Sequence, residues 1–185
     1  AIGRVQAVGG DAAQAEQLAD QLARQAGGQP LAELLRAELL DRRGQPVKAS
    51  ALAGQALAQL GGRCPLERVT VLRPECDWRA TWQALMLVAR GQRASGDQAF
   101  AEATLRQSLV LAQSARDDYL SAYSMGMLAL IAQGSDQPAS ARQWISEAAQ
   151  LVLHATAACA EDVDSNNARL FLLEMGEPVR IMDLA

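Results

Sequence analysis

The chain has 185 residues, a formal net charge of −4 and a pI near 5.0. That length suits one domain or a short array of repeats, and the acidic balance excludes bulk attraction to nucleic acid or anionic lipid. Hydrophobic residues make up 50% but aromatic ones only 4%, and the difference is mostly Ala and Leu, which favours close-packed helices over a β-sandwich core.

Helices are expected near 11–26, 30–43, 46–60, 77–95, 97–114, 116–133, 137–155, 162–175 and from 178 onward. Breakers fall between them at Gly27-Gly28, Gly44, Gly61-Gly62, Gly96 and Gly134-Ser135-Asp136. No β-branched run alternates as a strand would. No apolar run reaches the length of a membrane span, so no direct membrane contact is expected. Lys48 is the only lysine, which with the Ala excess reads as the bias of a GC-rich genome. The chain starts in a turn-like segment without Met and stops inside a repeated motif. It therefore reads as a piece of a longer protein, with any tether or catalytic domain lying outside it.

The turn motif Gly44-Gln45-Pro46-Val47-Lys48 returns as Gly176-Glu177-Pro178-Val179-Arg180, and Gly10-Asp11 and Gly96-Asp97 punctuate the chain in the same way. Gly10 and Gly44 are 34 residues apart, within the range of stacked helical units. Small residues recur at a fixed offset. Ala37 precedes Ala49 by 12, as Ala89 precedes Ala101 and Ala129 precedes Ala141. A turn residue stands five before each second Ala, at Gly44, Gly96 and Asp136, and a third small residue seven after it, at Ala56, Ser108 and Ala148. Antiparallel helices need small side chains where their axes approach, and the third position would admit the next hairpin.

On these residues the chain resembles the tetratricopeptide repeat. The resemblance implies an all-α, right-handed superhelix of antiparallel hairpins: a partial repeat at 1–28, repeats at 30–60, 78–114 and 116–155, a loop insertion at 61–77 and a partial repeat at 162–185. It departs from the family in its aliphatic residues at the aromatic positions, its missing Pro after the second helix, and turn steps of 52, 40 and 40 residues after Gly44. In the last pair Arg169 and Ile181 stand where small residues belong. Repeats of this length are similar to the tetratricopeptide regions of bacterial signalling proteins. The stretch from Cys76 to Leu85 looks more like the sensor region of GGDEF diguanylate cyclases than like a transcriptional regulator's effector domain.

The family lines a concave groove with the first helix of each pair. Carried over by phase, that implies Leu31, Leu34, Glu38 and Asp41; then Gln83, Met86, Arg90 and Arg93; then Tyr123, Gly126, Leu130 and Gln133. Arg90 and Arg93 share a helix face and are expected to hold a carboxylate or phosphate; the plainer reading is a solvated basic face. The opposite stripe, through Trp82, Leu85 and Ala89, is expected in the core, as are Trp78 and Trp144. The resemblance implies a non-enzymatic sensory or interaction module. Its expected ligand is a peptide, protein or small anion in the groove; a homodimer is a further expected partner. The rivals are a protein scaffold, a transcriptional effector domain, and an all-α enzyme with a carboxylate/Arg site between helices.

Other chemistry-bearing residues have plain explanations. Cys64 and Cys76 flank the insertion; either they form a disulfide, which implies an oxidising, periplasmic setting, or they are unrelated thiols of a cytoplasmic loop. Cys159 reads as an inert buried thiol. The sole His, His154, has no metal-ligand partners and reads as structural or surface. Val8-Gly9-Gly10-Asp11 lacks the rest of a phosphate loop, and Glu161, Asp162 and Asp164 lack calcium-loop spacing and read as a helix start. No metal and no cofactor is expected.

Overall fold

The structure, a computed structural model, describes residues 12–61, 64 and 76–159, with side chains as far as residue 153. Among these residues all regular structure is helical. The helices are α1 Ala12–Ala23, α2 Gln29–Arg42, α3 Pro46–Gly61, α4 Trp78–Ala94, α5 Gln98–Ser114, α6 Asp118–Gly134 and α7 Pro138–Cys159. They fall into two compact units, the first carrying α1 to α4 and the second α5 to α7. The helices expected at 162–175 and beyond 178, and the motifs at Gly10 and Gly176, lie outside the described residues.

Local chemistry sets the helix ends. Asp77 caps α4 by accepting from the Ala80 amide at 3.1 Å, and Asp117 caps α6 by accepting from the Leu120 amide at 3.0 Å. Pro46 and Pro138 open α3 and α7, where the missing amide costs nothing. Helices α4, α5 and α6 are each 17 residues long, and α4 to α7 begin twenty residues apart, at 78, 98, 118 and 138.

The turns after α2, α4, α5 and α6 have one construction. Gly44, Gly96, Arg116 and Asp136 all adopt positive φ, between 53° and 85°. In each turn this residue donates its amide to the carbonyl three back, and the next residue donates to the carbonyl five back. Gly44 thus reaches Asp41 and Gln45 reaches Leu40; Asp136 reaches Gln133 and Gln137 reaches Ala132. This is the Schellman motif, which satisfies the last carbonyls of the helix. The three turn residues expected from the repeat are among these left-handed positions. Arg116 is the unexpected fourth. Its conformation ends α5 and leaves Asp117 to cap α6, so α6 starts at Asp118, not 116.

Glycine takes this conformation without strain, and a residue with a Cβ does not. Asp136→Gly is therefore expected to stabilise the protein by about 0.5–1 kcal/mol, and Gly96→Ala to destabilise it by about 1 kcal/mol. Paired denaturant titrations check the signs; both variants moving the midpoint in one direction would contradict the turn assignment.

In the first unit α1 packs on α2, α2 on α3 and α3 on α4, and α2 also meets α4. The core joins Leu34 and Ala37 of α2, Ala49, Ala53, Ala56 and Leu60 of α3, and Ala80, Ala84 and Leu87 of α4. Ala37 and Ala49 are completely buried. The closest approach is between α3 and α4. A Cβ on Gly91 would stand 2.1 Å from the Ser50 Cβ and 2.7 Å from the Pro46 carbonyl oxygen. Ser50 also donates to the Val88 carbonyl there, at 3.3 Å.

In the second unit α6 packs against both α5 and α7. That explains why α6 buries residues on every side, from Ser121 and Ala122 through Ile131 and Ala132. Ala129 and Ala141 are both buried there. Ser108 of α5 meets Ser124 of α6, with hydroxyl oxygens 3.1 Å apart. Each hydroxyl also reaches a carbonyl of its own helix, Ser108 that of Leu105 at 2.7 Å and Ser124 that of Leu120 at 2.9 Å. Ala89 is buried in the first unit and Ala101 in the second.

Candidate functional site

The main concentration of paired polar side chains lies where α2 meets α4. Both helices bury one apolar stripe in the core, which turns Glu38 and Asp41 of α2 and Gln83 and Arg90 of α4 toward each other. Gln83 Nε2 donates to Glu38 Oε2 at 2.9 Å, and Arg42 of the same helix donates to Glu38 Oε1 at 2.6 Å. Arg90 Nη1 donates to Asp41 Oδ2 at 2.7 Å. The Asp41 side chain retains 16% of its accessibility and Arg90 36%, so this ion pair is partly withdrawn from water. Partners advance together, Glu38 with Gln83 and then Asp41 with Arg90, so α2 and α4 run in the same direction, each packed on α3.

Four of the expected groove residues are thus brought together: Glu38, Asp41, Gln83 and Arg90. The others fall differently. Leu34 and Met86 are buried, at 2% and 3% exposure, and belong to the core. Leu31 packs against that core. Arg93 is half-buried, one turn beyond Arg90. In the second unit Tyr123 and Leu130 are half-buried, Gln133 is exposed and Gly126 is buried. Of the opposite stripe, Leu85 and Ala89 are in the core, but Trp82 is only half-buried. Trp78 and Trp144 are also half-buried. Each has a guanidinium over its ring, Arg79 at 5.0 Å from Trp78 and Arg106 at 5.5 Å from Trp144. The cations cover faces that the core does not.

Arg90, expected to hold a carboxylate or phosphate, holds the carboxylate of Asp41. One polar residue escaped the sequence reading altogether. Glu33, 8% exposed, accepts from Gln29 Nε2 at 3.0 Å and from Gln59 Nε2 of α3 at 3.1 Å. Two amide donors satisfy its two oxygens without a cation, as a buried carboxylate requires. Its signal in the sequence is an acid inside an apolar stretch with Gln four residues before it.

Cys64 and Cys76 are joined by a disulfide, with Cα atoms 4.8 Å apart. Both are buried, and Cys76 directly precedes the cap of α4. Thr81 in the first turn donates to the Asp77 carbonyl at 2.9 Å and lies 3.3 Å from the Cys64 sulfur. The bridge therefore anchors the end of α4 that precedes Gln83. His154, Cys159, Glu161, Asp162, Asp164 and the segment from Val8 to Asp11 lie outside the residues whose side chains are described.

Among the described residues no cluster of His, Cys, Asp or Glu is arranged to hold a metal, and no helix is long and apolar enough to cross a membrane. No protein-family model matches the chain, and a comparison with curated proteins finds no match.

Proposed function

We propose that this chain is a non-catalytic binding module of the tetratricopeptide kind, a right-handed stack of helical hairpins serving a bacterial signalling protein. One observation carries the reading. In the first unit α2 and α4 lie side by side in parallel with α3 packed against both, and their paired polar side chains form one face. Such stacking gives repeat proteins an extended surface for a partner. Its paired groups, Glu38, Asp41, Gln83 and Arg90, are half-buried and satisfy one another, which suits reversible binding better than acid–base chemistry. The resemblance makes the output a diguanylate cyclase domain, with binding biasing its active arrangement. The disulfide supports an oxidising compartment, and so a periplasmic site of action.

The test is selection of binding peptides on the immobilised chain, followed by affinity measurement with variants. Glu38→Ala and Gln83→Ala are expected to weaken the selected peptides about three- to tenfold. Gln55→Ala, on the exposed side of α3, is expected to leave binding unchanged. A hydrolytic or transfer turnover abolished by Asp41→Asn or Glu33→Gln would overturn the proposal.

A further inference from the structure

Among the described residues the face built by α2 and α4 carries three arginines, Arg42, Arg90 and Arg93, against two carboxylates, Glu38 and Asp41. Glu38 uses one oxygen for Arg42 and the other for Gln83. Asp41 holds Arg90. That leaves Arg93, which sits in the last turn of α4, three residues past Arg90 and on the same side of the helix. It is half-buried, and it makes no ion pair among the described residues. With no carboxylate partner among the described residues, its guanidinium has donors to offer an incoming one.

We infer that this face takes an acidic peptide segment, and that Arg93 is the residue that reads its carboxylate. The inference rests on the binding-module reading above. Magnitude decides between a peptide and a free small anion. One accessible guanidinium strengthens binding of a carboxylate by about fivefold at most. Arg90 adds little, because Asp41 has compensated its charge. A small anion would have no other grip. An extended peptide draws most of its affinity from contacts along α2 and α4, where Gln83 and the outward lone pairs of Glu38 and Asp41 face its backbone. The carboxylate at Arg93 then sets its register and the preference for acidic sequences. A cation at the end of α4 also favours the helix dipole, but that effect acts on stability and does not distinguish ligands.

The experiment uses three probes on the whole chain: a fluorescent dodecapeptide rich in Glu and Asp, its Gln and Asn counterpart, and sodium glutarate. The acidic peptide is expected to bind about three- to fivefold more tightly than the amide counterpart. The preference should shrink as salt rises. Arg93→Gln should bring the ratio to about one with an unchanged melting curve, and Arg93→Lys should keep most of it. Glutarate at millimolar concentration should not displace the peptide. An acidic preference that survives in Arg93→Gln, or displacement by glutarate, would overturn the inference. Binding of both peptides without preference would sink it while leaving the binding module standing. Failure of every peptide to bind the unaltered chain would remove the module reading itself.

Discussion

Gly91→Ala is expected to destabilise the protein by about 2–3 kcal/mol, against a helix-propensity gain of about 1 kcal/mol. The added methyl would lie 2.1 Å from the Ser50 Cβ and 2.7 Å from the Pro46 carbonyl oxygen. Neither atom can rotate away, since one is fixed to the backbone and the other is part of it. Relief requires α3 and α4 to separate, which strips contacts from the core residues Ala53, Ala56, Ala80 and Ala84. The melting temperature should fall by roughly 4–10 °C. Ser50→Gly in the same chain should recover part of the loss by removing one of the two obstacles, and a double-mutant cycle measures that coupling. A Gly91→Ala variant as stable as the parent would show that the two helices do not approach this closely.

Breaking the Cys64–Cys76 bond should cost about as much. The bridge spans a sequence separation of 12, and a loop of that size contributes about 3 kcal/mol in the chain-entropy account. The first turn of α4 would also lose its anchor, because Thr81 lies against the Cys64 sulfur. The Cys64→Ala, Cys76→Ala double variant should unfold at lower denaturant, with a somewhat steeper slope because the unlinked denatured chain exposes more surface. Peptide affinity should fall as well, because Gln83 is the face residue nearest that turn. Alkylation followed by mass spectrometry provides the check. Free labelling of both thiols without reductant, in protein made under oxidising conditions, would contradict the bond.

The all-helical architecture was legible because several signals agree. Ala and Leu supply the helix pattern, and Gly44, Gly96 and Asp136 mark the turns with residues that tolerate positive φ. Arg116 was not legible as a turn former, since neither its side chain nor its neighbours favour that conformation. Its place follows from the twenty-residue step that sets the start of each helix from α4 to α7. The polar face was legible in phase but not in pairing. Spacing along one helix aligns Gln83, Arg90 and Arg93, but only the offset between α2 and α4 reveals that Asp41 occupies Arg90. Met86 was misplaced because α4 is covered from two sides, by α2 and α3, which widens its buried arc beyond one stripe. The half-buried tryptophans show the opposite error. Their size suggests core, but the interior is filled by Ala and Leu packed too closely to admit three indoles.

The most direct test of the account is a map of backbone amide perturbations when a selected peptide is added to the isotope-labelled chain. Within the first unit the changes are expected to concentrate in α2 and α4, strongest around Glu38, Asp41, Gln83, Arg90 and Arg93, while the exposed side of α3 from Val47 to Ala58 stays unchanged. Perturbations centred on that side of α3, with α2 and α4 silent, would contradict it.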